Sequence, residues 1–249
     1  MKKIFEGTIS CKSIIEENKR SIQMLYVDEK KNTKDFSYIV RNAHKNNIPV
    51  VKCNREKLDE ISQSTKHGGM LLEALDRNIP SLAMYGKVKG MIAYIDGLVD
   101  PYNLGSICRT LYASGCNLLV LPRRDWSQAE KVILRASAGA YEKMDIAMID
   151  DEMELIHYLK KHHIHLICAH RKDAISLKKY QFPSNCCIAV GGALRGLNSK
   201  ITSNSDQNVY IEYGRDYRNA LDTASAVAIF SFAYTYQEDT YENKPGRTR

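Results

Sequence analysis

From about residue 89 onward, short apolar runs alternate with stretches whose apolar residues recur every three or four positions. Runs at 91–96 (MIAYID), 117–121 (NLLVL), 145–149 (DIAMI), 165–169 (HLICA), 186–190 (CCIAV) and 208–213 (NVYIEY) predict strands. The stretches at 103–114, 127–137, 151–162, about 174–180 and 218–236 predict helices. Near-continuous apolar strands separated by helices predict an α/β fold with a parallel sheet covered on both faces.

The first 75 residues read as a smaller α/β unit. Strands are expected at 22–27 (IQMLYV) and 48–53 (IPVVKC), and helices at 33–47 and 55–62. In the first of these helices Phe36, Ile39, Val40 and Ala43 fall at helical spacing. Ser10 is expected to cap a short helix running to Asn18. A turn at 65–69 (TKHGG) leads into a further apolar run, Met70–Leu75. Residues 76–88 carry proline and glycine with little periodicity and read as a linker, so 89–249 forms the second domain. The last thirteen residues, from Gln237, are polar and expected to fray.

Composition changes this picture little. With 249 residues the chain can form one large or two small domains. No run of eighteen apolar residues occurs and the N-terminus lacks a secretory apolar segment, so a cytoplasmic, membrane-free protein is expected. The net charge of +7 leans toward a polyanionic partner. Seven cysteines form no C-x-x-C pair and lie in apolar contexts, as reduced buried thiols do. His157, His162, His163, His165 and His170 gather around one helix end and the next strand, but no ligand spacing stands out and no metal is expected.

Three stretches carry candidate chemistry. The first, at 91–115, is a strand, a polar turn and a helix. Asn103 is placed to cap the helix, and Leu104, Ile107, Cys108 and Leu111 to face the sheet. Gly105 and Arg109 then share a neighbouring face, which suits an anionic or strongly polar ligand; a capped helix with a surface arginine is the simpler alternative. The second, Gly191 to Leu197, places Gly191, Gly192 and Gly196 after a buried strand, where ligands collect in open parallel sheets. The third joins a strand end, a loop with Arg215 and Arg218, and a helix of small residues beginning near Asp222. That aspartate reads equally as a first-turn acid or as an active-site group. Arg123, Arg124 and Trp126 after one strand, Lys66 and His67 beside Gly68 and Gly69, and Arg218 are candidate nucleic-acid contacts through charge and stacking; exposed basic loops are the simpler alternative.

The order N-x-G-x-x-x-R-T from Asn103 to Thr110, then a glycine motif after a strand, then a strand, loop and small-residue helix, resembles the SpoU (TrmH-like) branch of the SPOUT RNA methyltransferases. Ser137-Ala138-Gly139-Ala140 and the 20-residue spacing from Gly191 to Ile211 add to the likeness, which covers nearly the whole chain. The first unit is similar to the small RNA-substrate-binding domain that many members carry.

The resemblance implies a SPOUT domain with a C-terminal trefoil knot that holds S-adenosylmethionine. It also implies a homodimer with active sites shared between subunits, and methyl transfer to a ribose 2′-hydroxyl of structured rRNA or tRNA. By position, Asn103 and Arg109 would be catalytic, and Gly191, Gly196, Leu197, Ile211 and Leu221 would touch the cofactor. Arginine stays protonated, with a pKa above about 12, so Arg109 would orient a phosphate and stabilise a developing alkoxide rather than act as base. The chain departs from the family at Ala193 (usually glutamate), at Glu212 (usually proline), and at Ala220-Leu221-Asp222 (usually serine–leucine–asparagine). Asp222 then becomes a candidate base. A different target atom, or a non-catalytic RNA-binding protein on the same scaffold, remains the alternative.

Overall fold

The chain opens with strand β1 (Lys2–Glu6), helix α1 (Thr8–Glu17), strand β2 (Ile22–Asp28), helix α2 (Lys34–Lys45), strand β3 (Val50–Cys53), helix α3 (Arg55–Ser62) and strand β4 (Met70–Leu75). The computed structural model describes residues 2–62, 65–192 and 195–241. The four strands form one mixed sheet in the order β1-β4-β2-β3, with only β2 and β3 parallel. Strand β1 has no counterpart in the sequence reading. Its burial is one-sided and only Phe5 is sealed, so its hydrophobic signal is short. Ser10 does not cap α1. The helix already begins at Thr8, behind Gly7, which places Ser10 in its interior. Thr33 does cap α2, its hydroxyl accepting the Phe36 N–H.

The chain then builds strand β5 (Met91–Ile95), helix α4 (Pro101–Ala113) and strand β6 (Leu118–Pro122) of a second sheet. It makes an excursion through helices α5 (Glu130–Ala136) and α6 (Ala140–Lys143) before resuming that sheet. The excursion, 125–143, clusters with residues 1–78 into one compact unit, while 79–124 and 144–249 form the other. Its anchor is a buried charge cluster. The Arg20 side chain is fully buried; its Nε donates to Glu142 Oε1 at 3.0 Å, one terminal nitrogen donates to Glu130 Oε2 at 3.2 Å, and the other pairs with Glu142. Burial alone would lower the Arg20 pKa, but the Glu142 and Glu130 carboxylates outweigh it and hold it raised. Gly139 serves the same packing. At φ +86° a side chain there would be strained, and its Cβ would lie 2.8 Å from that of Ser13.

The second unit continues with strand β7 (Ile146–Ile149), helix α7 (Glu152–His162), strands β8 (His165–Ala169), β9 (Ala174–Ser176) and β10 (Cys186–Val190), helix α8 (Ser199–Ser203), strand β11 (Gln207–Tyr210) and helix α9 (Thr223–Tyr241). Its seven strands are all parallel, in the order β7-β6-β5-β10-β8-β11-β9. Strands β5 and β10 are buried along their whole length, as the unbroken apolar runs require. The helix expected at 174–180 is instead the edge strand β9, paired with β11. Three residues are too few for periodicity to separate the two states. The stretch before β5 is packed from Ile79 on: Leu82 is buried, and the Met148 N–H donates to the Pro80 carbonyl.

The cysteines are free, and all but Cys53 are buried. Burial pushes the Cys168 thiol up to about 11 and Cys116 to about 12, so both stay protonated at neutral pH. Among the described residues no helix is long and apolar enough to cross a membrane.

Candidate active site at the carboxyl ends of the strands

Strands β8, β10 and β11 end beside one another, and the loops that leave them enclose a cavity of about 320 Å³. That volume falls at the lower end of small-molecule sites. Val190, Gly191, Gly192 and Gly196 form one wall; Val209, Tyr210, Ile211 and Tyr213 form another; Ala220, Leu221 and Phe230 close it. The chemistry of this lining is mostly backbone and apolar, with His170, Arg171 and Arg218 as its cationic or polar members.

The glycine loop is tight. The Gly196 N–H donates to the Gly192 carbonyl at 2.8 Å, and Gly191 lies against the Gly196–Leu197 peptide. Ala193, one of the family departures, lies outside the described residues. The loop is tied to the end of β5, because the Asn198 N–H donates to Asp96 Oδ2 at 2.7 Å and the Asp96 N–H donates to the Val190 carbonyl. Asp96 and Asn198 were not singled out from sequence; they are ordinary polar residues 102 positions apart, and only their bond reveals the role.

Of the residues expected to touch a cofactor, Gly191, Gly196, Ile211 and Leu221 line the cavity. Leu197 packs instead against the apolar core of the sheet. The Leu221 N–H is met by the Tyr213 hydroxyl at 3.2 Å, and the Tyr213 hydroxyl also lies 3.4 Å from the Asn219 carbonyl, which accepts its proton. Sequence reasoning missed Tyr213 and Arg171, which belong to no spaced motif, and noted His170 only within the histidine group.

Helix α4 begins two residues earlier than expected. Asp100 is its N-cap, accepting from the Tyr102 and Asn103 N–H groups, and Pro101 occupies the first turn. The expectation that Asn103 caps the helix is therefore corrected: an aspartate followed by proline supplies the start, which leaves the Asn103 side chain exposed. Arg109, further along the helix, is also exposed. Neither side chain has a hydrogen-bond or ion-pair partner among the described residues. Gly105 between them is buried.

Asp222 is a helix cap. Its carboxylate accepts the Ser225 N–H at 2.9 Å and the Ser225 hydroxyl at 2.5 Å, and its carbonyl accepts the Ala226 N–H that opens α9. These Ser225 hydrogen bonds hold its pKa below the ordinary carboxylate value. A carboxylate stabilised in its charged form is a weaker base, which weighs against the role suggested for it from the sequence.

The candidate RNA contacts divide. Lys66 is exposed, but His67 is fully buried, with Nε2 2.7 Å from Asp59 Oδ1 and Nδ1 accepting the Gly69 N–H. His67 holds the turn and cannot meet RNA. Trp126 is likewise buried, which removes the expected stacking face. Arg123 and Arg124 are exposed, and Arg123 is ion-paired with Asp150 at the surface, an exchange partner that a phosphate could replace. Arg218 is exposed at the cavity wall. Among the described residues no group of three His, Cys, Asp or Glu is placed to hold a metal ion.

The cavity lies beyond the carboxyl ends of strands in an open parallel sheet, where ligands collect in α/β folds. Residues 90–232 match the model of the SpoU rRNA Methylase family, and residues 4–78 match that for RNA 2′-O ribose methyltransferase substrate binding. The chain therefore belongs to the SpoU rRNA methylase family. It is an S-adenosylmethionine-dependent RNA methyltransferase. Among curated relatives it is similar to the 23S rRNA (guanosine-2′-O-)-methyltransferase RlmB of Blochmanniella floridana, at 21% identity over 98% of each chain. The mitochondrial rRNA methyltransferase 1 of Schizosaccharomyces pombe is 24% identical over 91% of this chain and 87% of its own. An AdoMet-bound rRNA methyltransferase from Sinorhizobium meliloti shares the fold with a TM-score of 0.77 at 17% identity, covering 94% of this chain and 87% of that one.

The cavity fits that cofactor. Apolar walls suit the adenine and ribose faces, backbone polar groups suit their edges, and Gly191 and Gly192 keep the loop free of side chains where it closes on the sheet end.

Proposed function

We propose that this protein methylates a ribose 2′-hydroxyl in ribosomal RNA, working as a homodimer with the small N-terminal unit as its RNA-gripping domain. The observation that carries this reading is the pairing of two features: a backbone-lined cavity at the carboxyl ends of β8, β10 and β11, and an exposed, unpaired Asn103 and Arg109 on α4. S-adenosylmethionine, when bound, supplies an already activated methyl group. The chain's own part is to hold the hydroxyl in line and to stabilise the charge it develops as its proton passes to solvent, the methyl donor leaving as a neutral thioether. In this reading Gly191, Gly196, Ile211 and Leu221 hold the cofactor, and Arg109 holds the neighbouring phosphate and the forming alkoxide, with Asn103 beside it. Lys66, Arg123, Arg124 and Arg218 contribute charge to the RNA contact.

No residue of α4 is among those lining the cavity, which supports completion of each site by a second subunit. The solvent faces of α4 and α9 carry Tyr102, Tyr112, Ile229 and Tyr236 exposed, an apolar surface suited to association. A trefoil knot in the segment from Gly191 onward belongs to the same reading. So does a cytoplasmic place of action.

The test is a calorimetric titration of the full chain with S-adenosylmethionine, followed by transfer of labelled methyl to RNA from cells lacking the protein. One cofactor per chain and a nuclease-resistant labelled dinucleotide are expected. Absence of cofactor binding, or label on a base, refutes the reading. Light scattering that returns a monomer refutes the dimer.

A further inference from the structure

A second cavity, of about 330 Å³, opens beside the first and shares Arg171, Tyr210, Ile211 and Tyr213 with it. Its remaining walls are Arg215, Asp216 and Tyr217, all exposed. To the shared wall the first cavity adds glycine backbone and aliphatic groups, and the second adds the Tyr217 ring and the charged Arg215 and Asp216. Aromatic faces interleaved with arginine suit a ligand that combines a flat π-system with a phosphate.

The walls are built rather than loose. Arg171 lies over the Tyr213 ring, 4.8 Å from its centroid, and donates to the Arg218 and Asn219 carbonyls at 3.0 and 3.3 Å. One face of Tyr213 is thus covered and its hydroxyl is engaged within the loop. Tyr217 sits 6.2 Å from Tyr213, ring to ring, and its hydroxyl accepts from Asn219 Nδ2, which fixes the ring while leaving it 55% exposed. An exposed, pre-positioned aromatic ring loses little freedom when it stacks. Arg215 has no hydrogen-bond or ion-pair partner among the described residues. Asp216 supplies an acceptor for an amino group on the base edge.

We propose that this second cavity seats the nucleotide to be methylated, with its base stacked on Tyr217 and an adjoining phosphate on Arg215. Because the cavities share a wall, a nucleotide held there sits next to the cofactor, as methyl transfer requires. The inference rests on the methyltransferase reading above and adds to it the side chains that capture the acceptor.

The experiment uses the full chain with S-adenosylmethionine and deproteinised RNA from cells lacking the protein. Tyr217→Ala is expected to bind S-adenosylmethionine within twofold of the parent, to melt at the same temperature, and to lose at least tenfold in RNA affinity and in single-turnover transfer. Tyr217→Phe is expected to restore both within threefold, because the ring and not the hydroxyl stacks. Arg215→Ala is expected to weaken RNA binding with a shallower salt dependence. Parent-like RNA binding and transfer by Tyr217→Ala overturn the proposal, as does a Tyr217→Phe variant as impaired as the alanine. If the parent binds this RNA without transferring methyl, the enzymatic reading fails alone, and the affinities of the alanine and phenylalanine variants still decide the stacking site. If the parent binds no RNA, both fail.

Discussion

Gly191 and Gly196 touch through their backbones: a Cβ built on Gly191 would lie 2.2 Å from the Gly196 carbonyl carbon and 2.4 Å from the Leu197 nitrogen. The obstruction is main chain, so no rotamer change relieves it. Gly191→Ala must push the Gly196–Leu197 backbone away from the end of β10. Overpacking of this kind costs about 1–3 kcal/mol, and here it falls on the cavity wall. We expect a lower melting temperature and at least a hundredfold loss of S-adenosylmethionine affinity by calorimetry. Unchanged affinity would mean that the loop is not the cofactor wall.

Arg109 behaves oppositely, because it is exposed on α4 with no side-chain partner among the described residues. Arg109→Ala should alter unfolding free energy by no more than about 0.5 kcal/mol. Methyl transfer should fall by about 10²–10³-fold, the range seen when one donor to a developing oxyanion is removed. Arg109→Lys should not restore it, since a point charge does not reproduce a planar fork. Chemical denaturation and single-turnover kinetics on the same samples check both halves. Asn103→Ala should likewise leave stability intact, because Asp100 and not Asn103 caps the helix.

Asp222 makes a statement about pH. Its pKa is lowered by the Ser225 side-chain and backbone hydrogen bonds. A depressed carboxylate contributes stability that is fully present above its unfolded pKa of about 3.9 and is lost as pH falls through the folded value. Asp222→Ala should therefore destabilise the protein by about 1 kcal/mol at neutral pH, as loss of a helix cap does, and the difference from the parent should shrink under acid. The pH–rate profile between pH 6 and 9 should keep its shape. An acid limb in the parent's profile that disappears in Asp222→Ala would reinstate Asp222 as the base.

The Arg20 cluster predicts a pattern across two variants. Glu142→Ala leaves the fully buried Arg20 guanidinium with Glu130 as its remaining carboxylate, and breaking such a pair costs about 3–5 kcal/mol. The paired change Arg20→Met with Glu142→Leu should recover much of that loss, because the buried Glu130 that remains still has Lys3 Nζ at 3.5 Å and the Arg77 N–H at 3.1 Å. Denaturant unfolding of the two proteins measures the difference. Equal destabilisation by both would show that the cluster acts through shape alone.

Much of this protein is legible along the chain. Buried parallel strands announce themselves as unbroken apolar runs, because both faces of MIAYI and CCIAV are sealed. The capped, amphipathic α2 and α7 follow from local periodicity and from Thr33 and Asp151 at their starts. The order of the Asn103–Arg109 motif, the glycine loop and Ile211 is likewise a linear property, and it carried the family resemblance. Edge elements escape this reading, because β1 seals only Phe5 and β9 has just three residues, too little to establish a period.

Other features exist only once the chain is folded. Arg20 and Glu142 stand 122 positions apart, and nothing local distinguishes either from a surface charge. His67 and Trp126 look available to RNA in the sequence and are buried in the structure, since burial depends on what covers a residue. Asp222 looks like a free carboxylate until Ser225 closes on it. Sequence determined the elements, their order and the motif residues, because these depend on neighbours a few positions away. The tertiary structure alone decided which side chains share a cavity, which are sealed, and which charges are neutralised, because each of these is fixed by contacts between distant parts of the chain.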